Sequence, residues 1–304
     1  MAGAPLRAWS SARWSIPLPA NHRFPIAKYQ MVRDGIIAAG LLPAEAICEP
    51  DRISRDAVAL VHEARYIDAV LDGTLTLAEL RRLGFPWTPL LPERSLRTAQ
   101  GTLEACRDAL AGGAGINLAG GTHHAFPGHG EGYCVFNDVA IAIRTLEREG
   151  RIGRAAIVDL DVHQGNGTAK IFEDDPDVLT FSMHGARNYP FRKERSWRDV
   201  ELADGAGDQE YLAELGRHLD PVLDSARPDL VVYIAGADPF EGDRLGRLKL
   251  TMSGLRARDS AVLDACRRRG VPVAVVLGGG YANNLIDLVT IHANTVRELL
   301  LRYG

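Results

Sequence analysis

The residues best placed for chemistry are Asp159, Asp161 and His163, within Ile157-Val-Asp-Leu-Asp-Val-His-Gln-Gly-Asn-Gly167. They recur at every second position at the end of an apolar run. In an extended chain alternate side chains share a face, so two carboxylates and an imidazole would project together. Buried charge is costly unless it is paired or bound to a metal. The motif therefore points to a metal or catalytic centre; the competing reading is a polar cluster that caps the following helix. Asp238, in Gly236-Ala-Asp238, would complete an Asp–His–Asp set, an open three-ligand pattern suited to catalytic zinc. The tandem pair His123 and His124 offers proton transfer. Tyr281, after three glycines, offers a phenol aimed by a sharply turning backbone.

The elements that would carry these residues alternate. Short apolar runs at 115–119, 155–160, 178–183, 230–235 and 271–277 are followed by helical patterns near 134–149, 166–173, 208–226, 253–269 and 283–302. This order predicts an α/β fold, a parallel β-sheet sandwiched by helices. Ligands of such sheets bind beyond the carboxyl ends of the strands, where these polar residues fall. Before that region, a first strand is expected at 14–19, helical periodicity runs over 55–71, a long loop over 72–95 and a helix over 96–112. No repeat or linker interrupts 1–304, so one domain with a core over about 15–303 is expected.

The chain carries 35 basic and 39 acidic residues, a net charge of −4, which gives no general attraction to nucleic acid. No apolar run is long enough to span a membrane. The four cysteines form no CxxC pair and suit a reducing, cytoplasmic setting. Residues 1–15 contain Arg and Ser and no acid, as a transit peptide does. The strand expected at 14–19 argues against that reading.

Taken in order, Gly120-Gly-Thr-His-His-Ala125, Gly132-Tyr-Cys134 with Asn137-Asp138, Asp159-Leu-Asp-Val-His-Gln-Gly165, Gly236-Ala-Asp238 with Gly242-Asp243, and Gly278-Gly-Gly-Tyr281 resemble the zinc-dependent histone deacetylase superfamily. The resemblance covers about residues 20–300. Gln164-Gly-Asn166, His22-Arg-Phe-Pro25 and the short length resemble its class IV branch and bacterial relatives. The resemblance implies the arginase–deacetylase fold, with about eight strands, and hydrolysis of acetyl or longer acyl groups from lysine side chains. It implies one zinc ion on Asp161, His163 and Asp238. His124 would be the general base, His123 would orient and stabilise charge with Asp159 behind it, and Tyr281 would donate to the oxyanion. Gly132, Tyr133, Tyr189 and Gly279 would bind substrate. A structural potassium ion would involve Asp159, Asp161, His163, Ser182 and Met183.

Two departures stand out. Asn166 occupies a position that many relatives fill with aspartate, which implies a less basic His124. The acidic residue that many relatives carry on the rim is missing, and within 85–95 only Glu93 could take its place. Glu93 is also the one hint for an acetylpolyamine or other small acylamine as substrate. An arginase-like two-manganese site lacks its second ligand set, and a degenerate acyl-lysine binder would have lost residues that are present here.

Overall fold

The computed structural model describes residues 6–304. Eight parallel strands form one sheet in the order β2-β1-β3-β8-β7-β4-β5-β6. In chain order they are β1 (Ala8–Trp9), β2 (Ile47–Cys48), β3 (Ala114–Asn117), β4 (Ala155–Asp159), β5 (Val178–Gly185), β6 (Arg198–Leu202), β7 (Leu230–Ile234) and β8 (Val273–Val276). The helices are α1 (Lys28–Ala38), α2 (Arg55–Val58), α3 (Ala64–Asp72), α4 (Leu77–Leu83), α5 (Leu90–Gly112), α6 (Asp138–Arg148), α7 (Asn166–Ile171), α8 (Asp208–Ala226), α9 (Met252–Arg269) and α10 (Leu285–Tyr303).

Strand alternation divides the core in two. Ala156, Val158 and Leu160 join one apolar cluster, with side chains from α8, α9 and α10. Ala155 and Ile157 join the other, with α3, α5 and α6. Both faces are thus covered, which is why the central strands β4, β7 and β8 read as near-continuous apolar runs rather than alternating.

The N-terminal third differs from the expectations. Residues 14–19 form no strand, because Pro17 and Pro19 cannot donate to a ladder. The first strand is instead Ala8–Trp9, paired with both β2 and β3, and Ile47–Cys48 forms the edge beyond it. The core therefore begins before residue 15, and Ala8 is fully buried. Of the stretch weighed as a transit peptide, residues 1–5 lie outside the described residues and Ala8–Trp9 belong to the sheet. The periodicity over 55–71 is split between α2 and α3. The break lets His62 turn inward, where its ring meets Phe126 O and the Asn137 amide, both at 2.9 Å.

The expected loop over 72–95 contains α4 and the start of α5. Thr76 and Glu79 form a capping box, and Gly84 closes α4 in the left-handed conformation. Pro92 lies in the first turn of α5, where a missing N–H costs nothing. Two backbone bonds then tie the end of α4 to the site: Gly132 N donates to Arg82 O at 3.3 Å and Tyr133 N to Leu83 O at 2.9 Å.

Candidate active site

Asp159 is the last residue of β4, while Asp161 and His163 lie in the bend beyond it. The every-second-residue spacing therefore brings them together across a turn rather than along one strand face. Asp238 arrives from the turn after β7, which neighbours β4 in the sheet. Ligand atoms of Asp161, His163 and Asp238 all lie within 4.8 Å of one another. His163 Nδ1 stands 2.9 Å from Asp161 Oδ1 and 3.3 Å from Asp238 Oδ2.

Backbone amides use the other lone pairs. Gly279 N donates to Asp161 Oδ2 at 2.8 Å and Val162 N to Asp238 Oδ1 at 2.9 Å. Asp238 Oδ2 is buried with no hydrogen-bond partner among the described residues. Burial opposes charging His163, yet Asp161 and Asp238 raise it to about 10. Burial and the Asp161 charge raise Asp238 to about 6. Two carboxylates converging on one imidazole, with one oxygen left orphaned, fit a divalent cation.

Gly279, expected to bind substrate, lines the inner cavity beside His123 and Tyr281 rather than the outer channel. A Cβ there would lie 1.8 Å from Asp238 Oδ2 and 2.5 Å from Asp161 Oδ2. The absent side chain lets the backbone approach the carboxylates. Lys28, fully buried at the start of α1, braces the same turn from below and donates to Gly278 O and Gly280 O. Tyr281 is held at both ends of its peptide: its N donates to Asp243 Oδ2 at 2.6 Å, and its O accepts from Arg244 Nε at 2.8 Å. Burial pushes its phenol well above the usual value, so it stays a donor.

The two histidines follow β3 in a turn organised by Asp138, the first residue of α6. Asp138 accepts from the amides of Gly121 and Thr122 and from two threonine hydroxyls. His123 Nδ1 is 2.7 Å from Asp159 Oδ2. His124 Nδ1 is 2.7 Å from Asn166 Oδ1. The two imidazoles are driven in opposite directions. Burial opposes protonation of both, but Asp159 and Asp161 raise His123 to about 9. Burial and the charges of His123 and His163 push His124 well below its ordinary value. A pair separated in this way supplies one charged and one neutral imidazole.

Sequence reasoning missed Glu131. Its Oε1 accepts from Asn166 Nδ2 and from the Tyr189 hydroxyl, each at 2.7 Å. Burial disfavours its charge, but bonds from His129, Asn166 and Tyr189 hold it below the usual carboxylate range. An ionised carboxylate only accepts. The Asn166 NH2 must therefore face Glu131, and its Oδ1 must face His124. His124 Nδ1 then carries the proton, and Nε2 keeps the lone pair. Glu131 is 35 residues from Asn166 in sequence, and no local pattern links them.

Tyr133 and Tyr189 stand with Gly132 at the outer channel. The Tyr189 ring lies edge-on to His124, with centroids 4.9 Å apart. Tyr133 has a φ of 68°, a costly conformation for an aromatic residue, and lies 6.1 Å from the Tyr281 ring. A Cβ on Gly132, whose φ is 55°, would lie 2.7 Å from His124 Cδ2. Asp159 and Ser182 are register partners on β4 and β5, with Met183 next along the strand. Ser182 Oγ pairs with His184 Nδ1 at 2.9 Å.

Glu93 does not reach the channel. It lies on α5, ion-paired with Arg97 of the same helix and with Arg52 of the loop before α2, and is absent from the channel lining. Segment 85–95 is not a rim loop, because Phe85 is buried and Trp87 donates to Val70 O.

The histone deacetylase domain family matches residues 22–296. An uncharacterized protein of Picosynechococcus sp. is 47% identical, over 91% of this chain and 92% of its own length. Histone deacetylase 2 of Arabidopsis thaliana is 33% identical, over 86% of this chain and 70% of its own. The crystal structure of the HDA15 HD domain has a TM-score of 0.82 at 23% identity, covering 98% of this chain and 88% of that one, a likeness of fold. No helix among the described residues is long and apolar enough to cross a membrane.

Proposed function

We propose, from the premise that this chain belongs to the histone deacetylase family, that it is a metal-dependent hydrolase of acetylated lysine side chains. The observation that carries this reading is the buried Asp161–His163–Asp238 cluster with His124 beside it, its Nδ1 held by Asn166 Oδ1 at 2.7 Å. Zinc bound by those three residues would supply a Lewis acid for the acyl carbonyl and acidify a nearby water.

The chain's own residues do the rest. His124 Nε2 takes a proton from the attacking water as its oxygen bonds to the acyl carbon. The Tyr281 hydroxyl donates to the carbonyl oxygen as that oxygen gains negative charge. His123, kept cationic by Asp159, favours the same charge. The proton on His124 then passes to the lysine nitrogen, the C–N bond breaks, and lysine and a carboxylate leave.

Acetyl is the acyl group that fits best. The cavity lined by Lys28, Gly120, His123 and Gly279 is about 40 Å³. That holds roughly three water-sized groups, enough for a methyl and too little for a long fatty chain. The reading includes potassium near Asp159 and Ser182, supported by their adjacency. It also includes a reducing, cytoplasmic setting, supported by four free cysteines. A panel of lysine peptides bearing acetyl through myristoyl groups, together with acetylated polyamines, tests it with Tyr281→Phe as control. Acetyl-lysine peptides should be cleaved and the control should lose activity. Failure on every substrate with zinc bound would overturn the proposal.

A further inference from the structure

The outer cavity, about 590 Å³ at the mouth of the channel, has an unusual lining. Six arginines surround it: Arg23, Arg81, Arg82, Arg187, Arg244 and Arg247. No aspartate or glutamate is among the lining residues. All six are exposed. The chain as a whole carries a net charge of −4, so this concentration is local and opposes the overall balance.

Internal pairing leaves most of the charge free. Asp204 serves Arg247 at 3.1 Å and stands 4.0 Å from Arg187. Arg244 spends its donors on Tyr281 O and Arg23 O, which makes it part of the scaffold. Among the described residues, Arg23, Arg81 and Arg82 have no carboxylate partner. Arg82 is nonetheless fixed beside the channel, since its carbonyl accepts from Gly132 N. The arginines come from four separate segments: the loop before α1, the last turn of α4, the turn after β5 and the turn after β7.

We infer that this mouth is an anion-recognition surface, selecting acyl-lysines flanked by aspartate or glutamate in a polypeptide. The inference rests on the acyl-lysine reading above and names its substrate class. Like charges gathered around an opening repel one another, and an anionic ligand relieves that repulsion. One small anion would engage one arginine cluster. Arginines on four segments around the opening instead meet acidic side chains on both sides of the lysine. Guanidinium forks pair with carboxylates in bidentate geometry. The same surface repels a polyamine, whose distal ammonium would enter a field of its own sign.

Three acetyl-lysine peptides of equal length, with acidic, neutral and basic flanks, provide the test on the zinc-loaded enzyme. At low salt, kcat/KM should be at least about tenfold higher for the acidic than for the basic peptide, and high salt should erase the difference. The double variant Arg81→Glu/Arg82→Glu should narrow or reverse the ranking. Arg81→Gln/Arg82→Gln should fall between, with melting temperature and circular dichroism verifying the fold of each. Cleavage of all three peptides at equal rates would overturn this inference and leave the deacetylase reading standing. So would preference for the basic peptide or for acetylspermidine. Cleavage of none would overturn the deacetylase reading itself.

Discussion

Glu131 sets the direction of the Asn166 amide, and removing its charge should impair His124 without removing any group from the reacting centre. Both bonds to Oε1 are 2.7 Å and charge-assisted. Such bonds contribute about 1.5–3 kcal/mol each, roughly twice their neutral counterparts. Glu131→Gln keeps the shape but loses about 1 kcal/mol per bond, about 2 kcal/mol in total, and no longer forces the amide NH2 to face it. Expressed wholly at the transition state, that is about a thirtyfold loss of kcat, at 1.36 kcal/mol per decade. KM should change little, since the channel wall remains.

Asn166→Asp alone would set a second carboxylate against Glu131, and the pair would have to share a proton. The double variant Glu131→Gln/Asn166→Asp restores one carboxylate and one amide in reversed order. It should recover activity relative to Glu131→Gln. It should also move the acidic limb of kcat/KM upward by about 1–3 units, because an adjacent carboxylate stabilises the imidazolium. pH–rate profiles of the four proteins measure this directly. If Glu131→Gln matches the wild type and the double variant shows no shift, the amide-orienting role is refuted.

Three further predictions concern the metal cluster and the folded state. Removing metal with a chelator should lower the melting temperature by ~5 °C or more at a metal concentration a hundredfold above Kd, from about 2.7 kcal/mol of linkage; Asp238→Asn should show no such shift. Gly279→Ala should weaken metal binding at least about tenfold, because its Cβ would lie 1.8 Å from Asp238 Oδ2; a chelator-competition titration reads this, and unchanged affinity would contradict the packing argument. Burial lowers His62 from 6.5 to about 4, outweighing its backbone hydrogen bonds. The unfolded chain therefore takes up this proton first, and stability present above pH 6.5 is lost as pH falls toward 4, by about 3 kcal/mol. Urea unfolding of His62→Gln should show a shallower loss over that window, and an identical slope would exclude His62 as the cause.

The alternation of apolar runs and helices gave away the parallel sheet because both of its faces are buried, so the central strands β4, β7 and β8 are written mostly in Val, Ile, Leu and Ala. The first strand was harder to read. Ala8–Trp9 is only two residues long and has no period, while residues 14–19 look like a strand until the proline nitrogens are counted. The capping box Thr76-Leu-Ala-Glu79 was present in the sequence, but the nearby prolines obscured it.

The sequence by itself determined which residue types gather at the strand ends, since Asp161, His163, Asp238, the histidine pair and Tyr281 lie in short motifs whose composition makes little sense in a core. Tertiary structure alone decided their environment. Glu131 reaches Asn166, Lys28 reaches the Gly278–Gly280 turn, and arginines from four segments meet around one opening. Glu93, plausible on paper as the mouth carboxylate, is taken by Arg52 and Arg97. Hydrogen bonds and charge fields act through space over a few ångströms, so pairs far apart in the chain leave no signature in its local pattern.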